Sequence, residues 1–199
     1  MENKKTTLGL NLPTDPRWAN IAEMQIAEIL IDHAYCEQKA ASSGISMIVS
    51  YPERKELVET MTALVAEEWG HFKKVLKKMK KRGIELGPKR KDEYVAQINK
   101  ILKKGGSREQ QLVENLLLNA LIEARSCERF KLLWKNISDP DLAEFYHELM
   151  ISEAGHYHTF LDLAKLYHDE EYVKMRWAEF LEAEAEIIKN LEVRTDRMH

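Results

Sequence analysis

The chain has 199 residues, of which 44% are hydrophobic and 32% are charged, and its formal net charge is −3. This length and composition predict a single soluble helical domain over residues 1–199. The apolar runs are too short to cross a bilayer, which excludes a transmembrane protein. No membrane partner is expected. Two cysteines, Cys36 and Cys127, are too few for a disulfide framework, and with no signal segment at the start of the chain they predict a cytoplasmic protein.

Helical periodicity dominates the chain, and no strand pattern is evident. Helix starts are indicated by Asp-Pro pairs at 15–16 and 139–140, while Ser107 with Gln110 three residues later is typical of a capping box. Four long helices, one short helix and a C-terminal helix are predicted, in chain order at about residues 16–42 (or as far as 50), 52–82, 92–104, 107–136, 139–167 and 169–191.

The order of these helices predicts an all-α fold. Four long helices with one long crossover after the second are typical of a ferritin-like four-helix bundle, here with additional short and C-terminal helices. The predicted bundle core covers about residues 16–167 and is interrupted by a basic crossover at 83–106. The predicted C-terminal helix, at about 169–191, is added to this core.

Positive charge is concentrated around the end of the second helix. Residues 73–108 carry 14 Lys and Arg against 3 Asp and Glu, a net charge of +11 within an acidic protein. Such a segment predicts an anionic partner, with nucleic acid favoured over an acidic membrane. The alternative is that these lysines form only the solvated face of a helix whose inward stripe contains Val75, Leu76 and Met79.

An internal repeat relates the two halves of the chain. IDHAYCEQ (31–38) resembles IEARSCER (122–129), and EEWGHF (67–72) resembles SEAGHY (152–157). Each half is therefore predicted to be a helix with acidic residues followed by a helix with a Glu-x-x-His motif.

The two Glu-x-x-His motifs predict a metal site. They consist of Glu68 with His71 and of Glu153 with His156, and both lie on apolar helix faces, where a buried carboxylate needs a compensating charge. A bundle that adds one Glu from each of the two other helices builds a di-iron carboxylate site. Four carboxylates balance the charge of two divalent ions, and two imidazoles complete the ligand set while leaving positions open for dioxygen. These ligands accept iron or manganese.

The carboxylate on each of the other two helices can be chosen by spacing. Glu37 and Glu123 precede the glutamates of the following Glu-x-x-His motifs by 31 and 30 residues, so each would lie level with its motif in a short-looped hairpin. The internal repeat instead aligns Glu37 with Glu128 and Asp32 with Glu123. Spacing favours Glu37 and Glu123, which leaves Asp32 and Glu128 as alternative ligands or as groups that orient the ligand histidines.

A third Glu-x-x-His, formed by Glu144 and His147, provides an internal comparison. It lies nine residues before Glu153 and therefore faces the opposite side of the helix, beside the polar residues Asp141 and Glu148. We expect it to be solvated surface rather than part of a metal site.

Resemblance to a known family is carried by four stretches, DHAYCEQKAAS (32–42), EEWGHFKKVLKKMKKRGIELGP (67–88), IEARSCERF (122–130) and SEAGHYHTFLDLA (152–164). They resemble the tRNA isopentenyladenosine hydroxylases, the MiaE family, and the resemblance extends over about residues 18–191. It implies a di-iron monooxygenase that hydroxylates the isopentenyl group of 2-methylthio-N6-isopentenyladenosine in the tRNA anticodon loop. Two iron ions, dioxygen as co-substrate and an external electron donor, either an electron-transfer protein or a reductase, are implied with it.

The resemblance also implies site residues. Carried over by position, the metal ligands are Glu37, Glu68, His71, Glu123, Glu153 and His156. Asp32 and Arg125 also lie within the matching stretches and would be near the site. The candidate RNA-binding residues in the basic segment are Lys77, Lys78, Lys80, Lys81, Arg82, Lys89, Arg90 and Lys91.

Three other functions fit parts of the sequence. Asp-His-Ala followed by an acid on the first helix also occurs in the demethoxyubiquinone monooxygenases, so a di-iron quinone hydroxylase is one alternative. Iron handling of the ferritin or rubrerythrin kind is another, and a metal-free RNA-binding bundle is the third. Oxygen consumption coupled to modified tRNA separates the hydroxylase from all of these.

Overall fold

The computed structural model of the protein describes residues 7–89 and 91–191. Within these residues the chain forms seven α-helices and two short 3-10 turns, and no strand. The helices, in chain order, are α1 (Arg17–Met24), α2 (Ile26–Ser50), α3 (Lys55–Lys81), α4 (Glu93–Ile98), α5 (Arg108–Asn136), α6 (Pro140–Tyr167) and α7 (Glu170–Asn190). The all-α prediction is confirmed, and none of the described helices is both long enough and apolar enough to cross a membrane.

The first two predicted helices differ from the structure at their boundaries. The first is divided into α1 and α2 by Gln25, whose φ of −128° and ψ of 41° are not helical, and α2 then continues to Ser50. The second begins at Lys55, because Pro52 lies in a turn that precedes it. Its predicted stop at Gly83 is confirmed, since Gly83 has a φ of 67° and glycine takes this left-handed conformation without a steric penalty.

Helix starts differ in how their free N–H groups are satisfied. Side chains cap the first turns of four helices, with Asp92 on α4, Ser107 on α5, Asp139 on α6 and Asp169 on α7. Ser107 and Gln110 form the predicted reciprocal capping box. Gln25 and Arg54, which precede α2 and α3, make no side-chain capping hydrogen bond.

The described residues form two compact units, each built around one helix hairpin. Residues 21–89 and 91 contain the first hairpin, in which α2 packs against α3. Residues 7–20 and 92–191 contain the second hairpin, formed by α5 and α6, together with α4 and α7. Because only short loops join the helices of each hairpin, the two helices run antiparallel, and their side chains can lie level with one another.

Helix α5 is buried around most of its circumference between residues 112 and 130. Seven of its polar side chains are buried, namely Glu114, Asn119, Glu123, Arg125, Ser126, Glu128 and Arg129. Five of them are charged, and buried charges require partners or metal ions. The surroundings of these charged residues therefore show which of them can be a ligand.

Candidate metal centre

The first hairpin brings together three of the predicted ligands. Helix α2 carries Glu37, and α3 carries Glu68 and His71 one helical turn apart, and all three side chains are buried. One potential ligand atom from each residue lies within 4.8 Å of those from the other two. Nδ1 of His71 lies 3.6 Å from Oε2 of Glu37 and 3.7 Å from Oε2 of Glu68.

The second hairpin brings together the other three. Helix α5 carries Glu123, and α6 carries Glu153 and His156, again buried and with potential ligand atoms within 4.8 Å of one another. Nδ1 of His156 lies 3.5 Å from Oε2 of Glu153. The two hairpins therefore carry two triads of the same composition, and we call them the first triad and the second triad.

The donor atoms of both triads fit a divalent transition-metal ion. The nitrogen to oxygen separations of 3.5 to 3.7 Å are longer than ordinary hydrogen bonds. Ligands bound to one ion at about 2.0 to 2.2 Å lie roughly 3 to 4 Å from each other, which matches these separations. Carboxylate oxygens with imidazole nitrogens are ligands that suit iron and manganese. The six predicted residues thus form two clusters with suitable donors, while their binding of metal stays a prediction.

His33 contacts the first triad although it belongs to neither of the two Glu-x-x-His motifs that predict the metal site. It is fully buried on α2, and its Nε2 donates a hydrogen bond of 2.6 Å to Oε1 of Glu37. This bond fixes one carboxylate oxygen and leaves Oε2 directed towards His71. The signal was present in the sequence, because His33 and Glu37 are four residues apart and share one helix face.

Asp32 and Glu128, the two alternative carboxylates, are both buried but belong to neither triad among the described residues. Glu128 is bound elsewhere. Its carboxylate accepts hydrogen bonds from the Thr14 backbone N–H at 3.1 and 3.2 Å and from the Thr14 hydroxyl at 2.7 Å, and it forms an ion pair with Arg125. These partners balance its charge and occupy its oxygens.

Arg125 is the centre of this second arrangement, which we call the Arg125 network. Its guanidinium donates to both carboxylate oxygens of Glu184 at 2.8 Å, to the Thr14 hydroxyl at 3.1 Å and to the Leu12 carbonyl at 3.0 Å. Burial lowers the pKa of Arg125, but the charges of Glu184 and Glu128 outweigh this and hold its pKa above the ordinary value. Arg125 therefore links the N-terminal segment, α5 and α7. Among the described residues, it forms no hydrogen bond or ion pair with Glu153 or His156.

Tyr94 of α4 completes the network. Its hydroxyl donates to Oε1 of Glu184 at 3.2 Å. Burial, followed by the charge of Glu184, raises the pKa of Tyr94 well above its ordinary value, so the hydroxyl stays protonated and remains a donor. The network is a structural ion cluster whose acceptors are satisfied by protein donors.

The remaining candidates are placed as follows. Glu144 is exposed and the His147 ring stacks on Trp134 with a centroid distance of 4.1 Å, which agrees with the prediction that this third Glu-x-x-His lies outside the ligand clusters. Cys127 is buried and its thiol donates to the Met150 carbonyl at 3.3 Å. Burial, followed by the charge of Glu153, raises the pKa of Cys127 to about 12, which keeps it a thiol and a poor ligand.

Most of the candidate RNA-binding residues are accessible to solvent. The exposed ones are Lys77, Lys80, Lys81, Lys89 and Lys91, while Lys78 and Arg82 are half-buried. Arg90 lies outside the described residues. Arg82 has a local role as well, since its guanidinium donates to the Lys78 carbonyl at 3.1 Å near the end of α3.

Comparison with known proteins gives consistent matches along the chain. A family model described as tRNA-(MS[2]IO[6]A)-hydroxylase (MiaE) matches residues 2–199. The tRNA 2-(methylsulfanyl)-N(6)-isopentenyladenosine(37) hydroxylase of Pseudomonas putida is 40% identical over 161 residues, which cover 81% of this chain and 77% of that protein. The protein of the same name from Salmonella typhimurium is 35% identical and covers 90% of this chain and 83% of its own length.

A solved structure is also similar over nearly the whole chain. It is titled Protein 43 with aldehyde deformylating oxygenase activity, from Synechococcus, and it superposes with a TM-score of 0.90 at 35% identity, covering 96% of this chain and 94% of that one. This similarity confirms the predicted ferritin-like helical fold.

Proposed function

Because this chain belongs to the tRNA-(MS[2]IO[6]A)-hydroxylase (MiaE) family, we propose that it is an oxygen-dependent di-iron monooxygenase that hydroxylates the isopentenyl group of 2-methylthio-N6-isopentenyladenosine in the tRNA anticodon loop. The observation that carries the proposal is the pair of buried triads, one on each hairpin, each with two carboxylates and one imidazole. Six such residues together supply the ligand set of a di-iron carboxylate protein.

The proposed ligands are Glu37, Glu68 and His71 of the first triad and Glu123, Glu153 and His156 of the second. Their four carboxylates balance the charge of two divalent ions, and their burial keeps bulk water away from the reacting groups. His33 holds its Nε2 proton against Oε1 of Glu37 and so limits rotation of that carboxylate.

Iron bound to these residues would supply the activation of dioxygen that protein side chains cannot perform. In the overall reaction one oxygen atom enters a C–H bond of the isopentenyl group and the other leaves as water, with electrons from an external donor protein or reductase and protons from solvent. The chain's own contribution is to orient the ligands, exclude water and position the substrate. The modified base must leave the stack of the anticodon loop to reach a buried site, as is usual for enzymes that modify bases.

The first test is metal content and activity on modified tRNA. We expect about two irons per chain in protein from iron-replete cells, with strong loss in Glu153→Ala and in His71→Ala, because each change removes a ligand from a triad. Glu144→Ala is the matched control, since it removes an exposed glutamate of the third Glu-x-x-His. Nucleoside mass spectrometry should then show the gain of one oxygen only with iron, dioxygen, reductant and tRNA that carries the isopentenyl group.

Failure to bind iron after anaerobic reconstitution with Fe(II) would contradict the metal site. Iron binding without any hydroxylation of modified tRNA would favour an iron-handling role or another substrate. Because the similar structure from Synechococcus is named for aldehyde deformylating oxygenase activity, an aldehyde belongs in the same assay as the alternative substrate class. A quinone tests the remaining oxygenase alternative.

A further inference from the structure

Trp69 is an unusually exposed aromatic residue on α3. Its relative exposure is 45%, and it is the one aromatic side chain among the large hydrophobic residues that the described part of the chain leaves exposed. Its ring stacks on Phe72, with centroids 4.7 Å apart and 29° between the planes, and Phe72 is itself buried. Phe72 therefore holds the indole in place while much of the ring remains open to solvent.

Trp69 lies on the same side of α3 as three exposed lysines. Lys73, Lys77 and Lys80 follow it by 4, 8 and 11 residues and are exposed, which places all four side chains within about 80° of helix circumference along roughly 16 Å. The chain contains no acidic residue from Trp69 to Ile84. We call this surface the Trp69 stripe.

We propose that the Trp69 stripe binds RNA, with Trp69 stacking on a base and the lysines contacting phosphates. A half-exposed aromatic ring beside a row of cations is the combination that binds single-stranded nucleic acid, because every base has a face that can stack while the backbone is anionic. The residues that precede Trp69 on this side, Thr62 and Ala66, are small. Val65 and Leu76, the larger apolar residues nearest to Trp69 on this side, are half-buried, so Trp69 is the one large hydrophobic side chain that α3 leaves exposed. An amphipathic helix that binds a membrane needs a broad exposed apolar face.

The position of Trp69 also indicates which nucleotide it would contact. Glu68 and His71, on the same turn of α3, are buried, whereas Trp69 faces solvent. The base stacked on Trp69 is therefore a neighbour of the modified adenosine rather than the reacting base. This inference rests on the proposed function, in which the RNA is the substrate tRNA.

The test is binding of a synthetic anticodon stem-loop RNA to the iron-loaded protein at several salt concentrations. We expect Trp69→Leu to weaken RNA binding about 5- to 150-fold, which is the effect of losing one base stack. The slope of the logarithm of the binding constant against the logarithm of the salt concentration should not change, because stacking releases no counterions. Lys80→Gln should lower that slope by roughly 0.7 to 0.9. Trp69→Phe keeps an aromatic face and should retain most of the affinity.

The controls separate the alternatives. Trp134→Leu removes a partly buried tryptophan outside the stripe and should leave RNA binding unchanged. Thermal melting shows whether each variant is folded. Wild-type affinity in folded Trp69→Leu would overturn the inference while leaving the proposed function intact. If Trp69→Leu weakened binding of the protein to vesicles of anionic phospholipid but left its RNA affinity unchanged, the stripe would be assigned to a membrane instead. If the wild-type protein neither bound nor hydroxylated the RNA, the proposed function itself would fail.

Discussion

Arg125 offers the most informative test of the structure outside the triads. It is fully buried and forms hydrogen bonds with Glu184, Thr14 and the Leu12 carbonyl and an ion pair with Glu128. Arg125→Met preserves much of the side-chain volume but leaves the carboxylates of Glu184 and Glu128 buried without their cation. Breaking a buried ion pair in this way typically costs about 3–5 kcal/mol. Since domains are stable by about 5–15 kcal/mol in total, we expect a large loss that still permits folding in a stable protein.

The loss should also depend on pH. Burial raises the pKa of Glu184 in the folded protein, and Arg125 opposes this rise. Without Arg125 the folded pKa of Glu184 rises further above its unfolded value. A carboxyl with a raised folded pKa contributes most stability at low pH and loses it as the pH increases through that pKa. The stability difference between wild type and Arg125→Met should therefore be smaller at mildly acidic pH than at mildly alkaline pH.

Urea unfolding of the metal-free protein, followed by circular dichroism, measures this effect. The expected result is a lower midpoint with an unchanged slope, because the surface exposed on unfolding is nearly the same. In the double variant Arg125→Met, Glu184→Leu, part of the stability should return, because one unbalanced carboxylate is gone. A loss below about 1 kcal/mol, within the range for exposed ion pairs, or a double variant no more stable than the single one, would refute the reasoning.

Three further predictions concern His33, Gly44 and the exposed lysines of α3. His33→Phe removes the hydrogen bond to Glu37 and should weaken iron binding about 10- to 100-fold, as measured by competition with a chelator. His33→Gln keeps a hydrogen-bond donor and should lose less iron affinity. If His33→Phe bound iron as tightly as the wild type, the bond would not orient Glu37. Gly44→Ala would place a Cβ 2.6 Å from Cγ2 of Val65 and should lower the free energy of unfolding by about 1–3 kcal/mol. Adding Val65→Ala to this variant should restore the lost stability. If Gly44→Ala alone stabilised the protein, the close contact between α2 and α3 at this point would be contradicted. Replacing three exposed lysines of α3 with Gln should weaken tRNA binding and lower the salt slope by about 2–3, whereas the same change at exposed lysines of α6 and α7 should not. The tested set is Lys77, Lys80 and Lys81, and the control set is Lys165, Lys174 and Lys189.

The sequence predicted the clustered carboxylates because helix spacing is a local property. Glu37 and Glu123 were favoured by their separation from the following Glu-x-x-His motifs, and each lies in a cluster with the residues of its motif. The internal repeat, which aligns Glu37 with Glu128, indicated a different pair. Glu128 instead binds Thr14, which is 114 residues away in the chain, and such a long-range partner leaves no periodic signal in one sequence.

Helix boundaries were predictable where a side chain defines them. Ser107 and Gln110 indicated the start of α5 because the capping box is formed by those two side chains alone. The break at Gln25 has no proline or glycine to mark it. Pro52 predicts a helix start, yet it lies in the turn before Lys55, because a proline is compatible with either position.

The unequal capping of the helices has a consequence for local opening. The first turns of α5 and α6 are held by Ser107 and Asp139, whereas α2 and α3 begin without a side-chain cap. A cap contributes about 1 kcal/mol, which corresponds to roughly a fivefold difference in how often the terminal amides are exposed to solvent. In hydrogen–deuterium exchange, the first amides of α2 and α3 should therefore take up deuterium sooner than those of α5 and α6, well before the buried turns that carry the two triads.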